Sequence, residues 1–104
     1  MQKTYKQSFS NYFMGITLIR MKIMPTSPDA DLEEIKEESR TIIGKHKGNK
    51  IVFEEEAIAF GLKAIIVNFQ QEEGDSEIEP IESKINKLLN VNSVEVVDIR
   101  RAFG

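Results

Sequence analysis

The chain has 104 residues and a hydrophobic share of 40%, enough for one modest core and close to the commonest size of a single domain. Its 14 Lys and Arg against 17 Asp and Glu give a formal net charge of -3, which disfavours a nucleic-acid backbone as the main partner, because such sites need clustered positive charge. With no cysteine there is no disulfide framework, thiolate nucleophile or zinc-finger ligand set, and no apolar run approaches the roughly 20 residues that cross a bilayer, so a cytoplasmic protein with no membrane contact is expected.

Residues 1–13 read as an N-terminal arm set apart from a domain over 14–104. They place Tyr5, Phe9, Tyr12 and Phe13 among Ser, Asn, Gln and Lys without an acidic residue, which suits either a tail or an aromatic arm lying on the domain. From Ile16 to Met24, Leu18, Arg20 and Lys22 alternate with Ile19, Met21 and Ile23, the pattern of a half-buried strand. Pro25 and Pro28 end it, and Asp31 with Glu34 has the form of a capping box opening a helix. Leu32, Ile35, Ile42 and Ile43 form one stripe of that helix, which is expected to stop at Gly44.

Lys45 to Asn49 reads as a polar turn, followed by a strand in which Ile51 and Phe53 alternate with Lys50, Val52 and Glu54 until about Ala57. The segment Ile58-Ala-Phe60-Gly61 interrupts it. Leu62 to Gln71 is the most apolar stretch, with Ile65, Val67 and Phe69 on one face and Ala64 and Ile66 on the other, as in a central strand. A second helix starts at a Ser76 and Glu79 capping box or with Pro80 in its first turn, and carries Ile78, Ile81, Ile85, Leu88 and Leu89. Asn90 to Ser93 reads as a turn, and Val94, Val96, Val97 and Ile99 as a last strand running into Arg100 and Arg101.

The helix pattern Leu32, Ile35, Ser39, Ile42, Ile43 recurs 46 residues later as Ile78, Ile81, Ile85, Leu88, Leu89, so the chain reads as two similar βαβ halves. Right-handed crossovers that put both helices on one sheet face then give an α+β, ferredoxin-like βαββαβ sandwich with a four-stranded antiparallel sheet.

Catalytic chemistry is not indicated. His46 sits between two lysines in a turn, which suits a surface residue better than a base or a ligand, and the glutamate runs read as solvated faces. Neither a calcium loop nor a Gly-rich phosphate loop is present, so no metal, cofactor or direct nucleotide binding is expected. RNA-binding domains of this topology stack bases on aromatics of the central strands, where Ala64, Ile66 and Asn68 stand here. The unusual feature is Ile58 to Leu62, an apolar glycine-containing connection after three glutamates. Either Phe60 folds back into the core, or it is presented at the loop tip as an interface anchor.

Three segments, KIMPTSPDADLEEIK at Lys22 to Lys36, EEEAIAFGLKAI at Glu54 to Ile65 and VNSVEVVDIRR at Val91 to Arg101, resemble the archaeal elongation factor 1-beta family in order and spacing. The resemblance covers Met14 to Gly104, and the preceding arm departs from it. It implies a ferredoxin-like guanine nucleotide exchange factor that binds the GTPase elongation factor 1-alpha, loosens its magnesium and phosphate site and performs no bond-making chemistry. It also implies a partner-binding set of Ile58, Ala59, Phe60, Gly61 and Lys63, in which Phe60 enters a pocket of the GTPase and Gly61 permits the turn. Eukaryotic members place a lysine near the carboxy terminus against the magnesium site. This chain ends Asp98-Ile-Arg-Arg-Ala-Phe-Gly104, so Arg100 or Arg101 is the candidate cation, with a solvated strand end as the plainer reading of both. A ferredoxin-like RNA-binding or assembly module is the alternative function.

Overall fold

A computed structural model of the chain describes residues 15–72, 74 and 77–102; the expected arm over 1–13 and Ser76 of the alternative cap lie outside these residues. The elements are β1 (Ile16–Pro25), α1 (Leu32–Lys45), β2 (Asn49–Ala57), β3 (Lys63–Glu72), α2 (Ile78–Asn86) and β4 (Val91–Ala102). The four strands are antiparallel in the order β2-β3-β1-β4, which is the expected ferredoxin-like arrangement.

Register explains the core. Ile19, Met21 and Ile23 of β1 stand opposite Phe69, Val67 and Ile65 of β3, so all six point to one face. Ile35 and Ile43 of α1 and Ile81 and Ile85 of α2 close over that face, and no member of this set is more than 3% exposed. Each such side chain contributes about 1.5–3 kcal/mol by leaving water.

The other face has no helix on it, yet Ala64 is fully buried and Ile66 is only 5% exposed. Long charged side chains account for this. Arg20 reaches Glu54 at 3.9 Å and Lys22 reaches Glu56 at 3.4 Å, and because β3 lies between β1 and β2 both pairs straddle it, laying their alkyl stems over the small and branched residues beneath.

The first helix starts as expected, with Asp31 Oδ1 accepting the Glu34 N–H at 3.2 Å. Glu33 and Glu34 in its first turn and Lys45 in its last complement the helix dipole. The helix runs one residue past Gly44, and the chain turns through Lys47 at φ 70 so that the Gly48 N–H donates to the Ile43 carbonyl at 2.8 Å. A Cβ on Gly48 would stand 2.2 Å from Ile43 Cγ2, so only glycine fits this close return.

The second helix takes the Pro80 start of the two read from the sequence and corrects that reading at its other end. Its N-cap is Glu77, which makes no side-chain cap bond, and Pro80 occupies the first turn, where its missing N–H removes no helical bond. It stops at Asn86 after 9 residues, whereas α1 has 14, so the 46-residue correspondence holds in burial through Ile42 and Leu88 and fails at its last pair. Ile43 is fully buried, but Leu89 is 77% exposed. The expected turn over Asn90 to Ser93 contracts as well. Thr26 N–H donates to the Asn90 carbonyl at 2.9 Å and Val91 stands opposite Pro25, so β4 begins at Val91 and not at Val94.

His46 is less exposed than the sequence suggested. Its Nδ1 lies 2.7 Å from Glu77 Oε1, and Lys84 Nζ donates to its Nε2 at 3.0 Å. Since an ammonium only donates, Nε2 accepts and the proton sits on Nδ1, facing the carboxylate. Fully buried Gln71 donates to the His46 carbonyl at 2.8 Å and accepts the Glu77 N–H at 3.3 Å. The end of α1 and the start of α2 are thereby fastened to the end of β3. Among the described residues, no helix is long and apolar enough to cross a membrane.

Candidate partner-binding surface

The loop from Ile58 to Leu62 closes the β2–β3 hairpin just beyond the Ala57 and Lys63 pair. Ile58 N–H donates to the Leu62 carbonyl at 2.7 Å, and Leu62 N–H donates to the Ala59 carbonyl at 3.3 Å. Closing the chain so tightly places two successive residues in the left-handed region, Phe60 at φ 64 and Gly61 at φ 77. Glycine adopts this region freely, whereas a side chain there costs roughly 1–2 kcal/mol. A Cβ on Gly61 would lie 3.9 Å from the Pro28 ring, so the loop rests beside the β1–α1 connection.

Phe60 is 93% exposed. Of the two conformations open to this hairpin, the ring adopts the outward one, with Ala59 exposed beside it and Ile58 and Leu62 half-buried at its base.

Charge surrounds the loop in an ordered way. Lys63 Nζ stands 3.9 Å from Glu55 Oε1, while the other oxygen of that carboxylate accepts from Lys36 Nζ at 2.8 Å. Lys36 also donates to Glu33 at 3.0 Å. The Lys36 hydrogen bond is the main reason that the Glu55 carboxyl is held below its ordinary pKa, with Lys63 adding a smaller attraction, and the Glu55 and Glu33 bonds raise Lys36 in turn. Lys63 is the weakly held member, at 59% side-chain exposure, and is free to turn toward a partner.

Arg100 and Arg101 are not in this group. They stand opposite Leu18 and Thr17, whereas the Phe60 loop leaves β3 beyond Ile65, the partner of Ile23. At about 3.3 Å per residue, the two arginines lie roughly 20 Å from the loop, at the other end of the sheet. Arg100 is turned back onto Asp98 at 2.8 Å and keeps 72% of its side chain exposed. Around it, Leu18, Arg20, Asn68 and Val97 line an open depression of about 660 Å³ on the helix-free face. Alternation after Val96, which stands opposite Met21, turns Val97 to that face, and the break in register there brings Asp98, opposite Arg20, onto it as well, which a strict two-residue period does not foresee.

Residues 18–102 match the family model of the EF-1 guanine nucleotide exchange domain. The chain belongs to this family. It is 43% identical over 89 residues to elongation factor 1-beta of Methanobrevibacter smithii, covering 85% of this chain and 98% of that protein. Elongation factor 1-beta of Methanosarcina barkeri is 42% identical over 90 residues, covering 85% and 99%. That of Methanocaldococcus jannaschii is 36% identical over 89 residues, covering 86% and 100%. Within the exchange-domain match fall the Phe60 loop, Lys63, Arg100 and Arg101, while residues 1–13 precede it.

Proposed function

We propose that the chain promotes exchange of GDP for GTP on elongation factor 1-alpha, as a binding wedge that forms and breaks no covalent bond. The single observation that carries this reading is an aromatic ring held almost wholly in solvent on a left-handed backbone. Such an arrangement returns nothing to the fold, and contact with a partner supplies the missing gain. Membership of the exchange-domain family names the partner class.

In this mechanism Phe60 inserts into an apolar pocket of the GTPase, Gly61 permits the turn that presents the ring, Ile58 and Ala59 pack around it, and Lys63 contributes a rim charge. Arg100 or Arg101 supplies the cation that disturbs the magnesium and phosphate site, reaching the partner at a second point distant from the ring. Exchange then follows from linkage. A factor that binds the nucleotide-free form more tightly than the nucleotide-bound form lowers nucleotide affinity by the same ratio, and nucleotide lowers the factor's own affinity equally.

The test is release of labelled GDP from elongation factor 1-alpha. The wild-type chain should accelerate release, and Phe60→Ala should require a concentration at least tenfold higher for the same rate, as for loss of a central aromatic anchor. An unchanged rate with Phe60→Ala sinks the anchor assignment. Salt-dependent RNA binding without any effect on GDP release would instead favour the RNA-binding alternative, which would have to use the helix-free face carrying Leu18, Arg20, Ile66 and Asn68.

A further inference from the structure

Phe60 has a counterpart at its own end of the sheet. Leu89 is 77% exposed, and apart from Phe60 the other large apolar side chains exposed among the described residues are the strand residues Leu18, Val52, Val97 and Ile99, at 40% to 55%. A lone exposed leucine is ordinary. This one is distinguished by where and how it is held.

Leu89 lies two residues before Val91, which stands opposite Pro25, so it belongs to the same end of the sheet as the Phe60 loop. Its turn is seated from both sides. Leu88, which packs on the core, donates its N–H to the Ile85 carbonyl at 3.0 Å and accepts the Val91 N–H at 3.2 Å. Asn90 takes the left-handed conformation at φ 70, and its carbonyl accepts the Thr26 N–H at 2.9 Å. The segment that begins at Thr26 continues to Pro28, beside which the Phe60 loop rests. Two outward apolar side chains are thus joined through one short connection, with two to three strand spacings of about 4.8 Å between their strands, or roughly 10–14 Å across the sheet.

Between them, next to the exposed Pro28 ring, stand polar groups. Ser27 Oγ accepts the Asp29 N–H at 3.3 Å, and Asp29 is exposed. Two apolar points separated by satisfied polar groups form a surface that a partner grips at two places, and a two-point grip fixes an angle that a single ring cannot fix.

We propose that Leu89 is a second apolar anchor for the GTPase that Phe60 engages, and that it sets the orientation in which the ring enters its pocket. The proposal rests on the exchange-factor reading above, and its occupant is the same partner, because linked loops at one end of the sheet meet one surface.

The experiment titrates GDP release with wild type, Phe60→Ala, Leu89→Ala and Val52→Ala, with a melting curve for each. The Val52 variant is the control for loss of exposed apolar surface elsewhere. Leu89→Ala should melt with wild type and raise the half-saturating concentration by roughly tenfold, leaving the rate at saturation unchanged. Val52→Ala should titrate as wild type. A Leu89→Ala curve that overlays wild type while Phe60→Ala is impaired overturns the second anchor and leaves the exchange reading standing. An equal shift with Val52→Ala also overturns it, since the effect is then not tied to this end of the sheet. If wild type itself accelerates nothing, both readings fail together.

Discussion

Replacing Phe60 by glycine should make the protein more stable and less active. The left-handed backbone at φ 64 costs a residue with a side chain roughly 1–2 kcal/mol, and glycine removes that cost. Against this, glycine loses more chain entropy on folding, about 0.4–1 kcal/mol. At 93% exposure the ring contributes almost no burial to forfeit. The difference is a gain of about 0.5–1 kcal/mol, which for a domain of this size raises Tm by roughly 2–6 °C. Phe60→Ala keeps the strained conformation and loses only the ring, so it should lie within about 0.5 kcal/mol of wild type. Thermal and urea unfolding give the stabilities, and GDP release on elongation factor 1-alpha gives the activities, where both variants should be impaired. A loss of about 2 kcal/mol or more in both variants would refute the reasoning, because it would mean that the ring packs against the domain in solution.

Three further expectations concern the scaffold. Ser39 Oγ is fully buried in α1 without a hydrogen-bond partner, so Ser39→Ala should stabilise by about 1 kcal/mol in urea unfolding, and a loss would show that the hydroxyl is satisfied. Gln71→Leu conserves approximate volume but strips the His46 carbonyl and the Glu77 N–H of their partner, and should cost about 2 kcal/mol by the same measurement. The ion pairs of Lys36 set a pH dependence. Because the Glu55 pKa is depressed in the folded state, its contribution is present above the ordinary glutamate pKa and is lost as pH falls through the depressed value; because the Lys36 pKa is raised, its contribution is present below its ordinary value of 10.5 and is lost above it. Lys36→Gln should therefore lower stability most at neutral pH, with the gap to wild type narrowing in acid, and a gap that stays constant from pH 7 to pH 3 would contradict the assignment.

The fold was legible because periodicity and punctuation agreed along most of the chain. Alternation in β1 and β3 put Ile19, Met21, Ile23, Ile65, Val67 and Phe69 on one face, and Asp31 marked the start of α1 as it does in the structure. The misreading at Leu89 has a clear physical origin. The 46-residue correspondence encodes the spacing of apolar residues and carries no information about where a helix stops, and α2 ends before the pattern does. Gln71 and His46 were unreadable for another reason, since their partners lie up to 38 residues away in sequence and are brought together only by the packing of both helices. At the candidate site the sequence left Phe60 between two conformations, because a hairpin with glycine at its tip is compatible with either, and the backbone angle and exposure distinguish them. The separation of Arg100 and Arg101 from that loop follows from strand direction, which no local motif contains.

That separation bears on how an exchange factor of this shape divides its work. A ring that docks equally well on the nucleotide-bound and nucleotide-free forms of a GTPase shifts neither, however tightly it binds, because only a difference in affinity moves the equilibrium. An anchor distant from the chemistry of the nucleotide site is well placed to contribute uniform binding, and a cation reaching the magnesium and phosphate region is well placed to contribute the difference. With Phe60 and the two arginines roughly 20 Å apart on a rigid sheet, the proposed mechanism assigns these tasks to opposite ends of β1. Loss of the anchor then acts on the concentration needed for half-maximal release, whereas loss of the cation acts on the rate at saturation. The arrangement also explains how Phe60 can remain strained and exposed without weakening the core, since the sheet that orients it is closed by both helices and owes nothing to the ring.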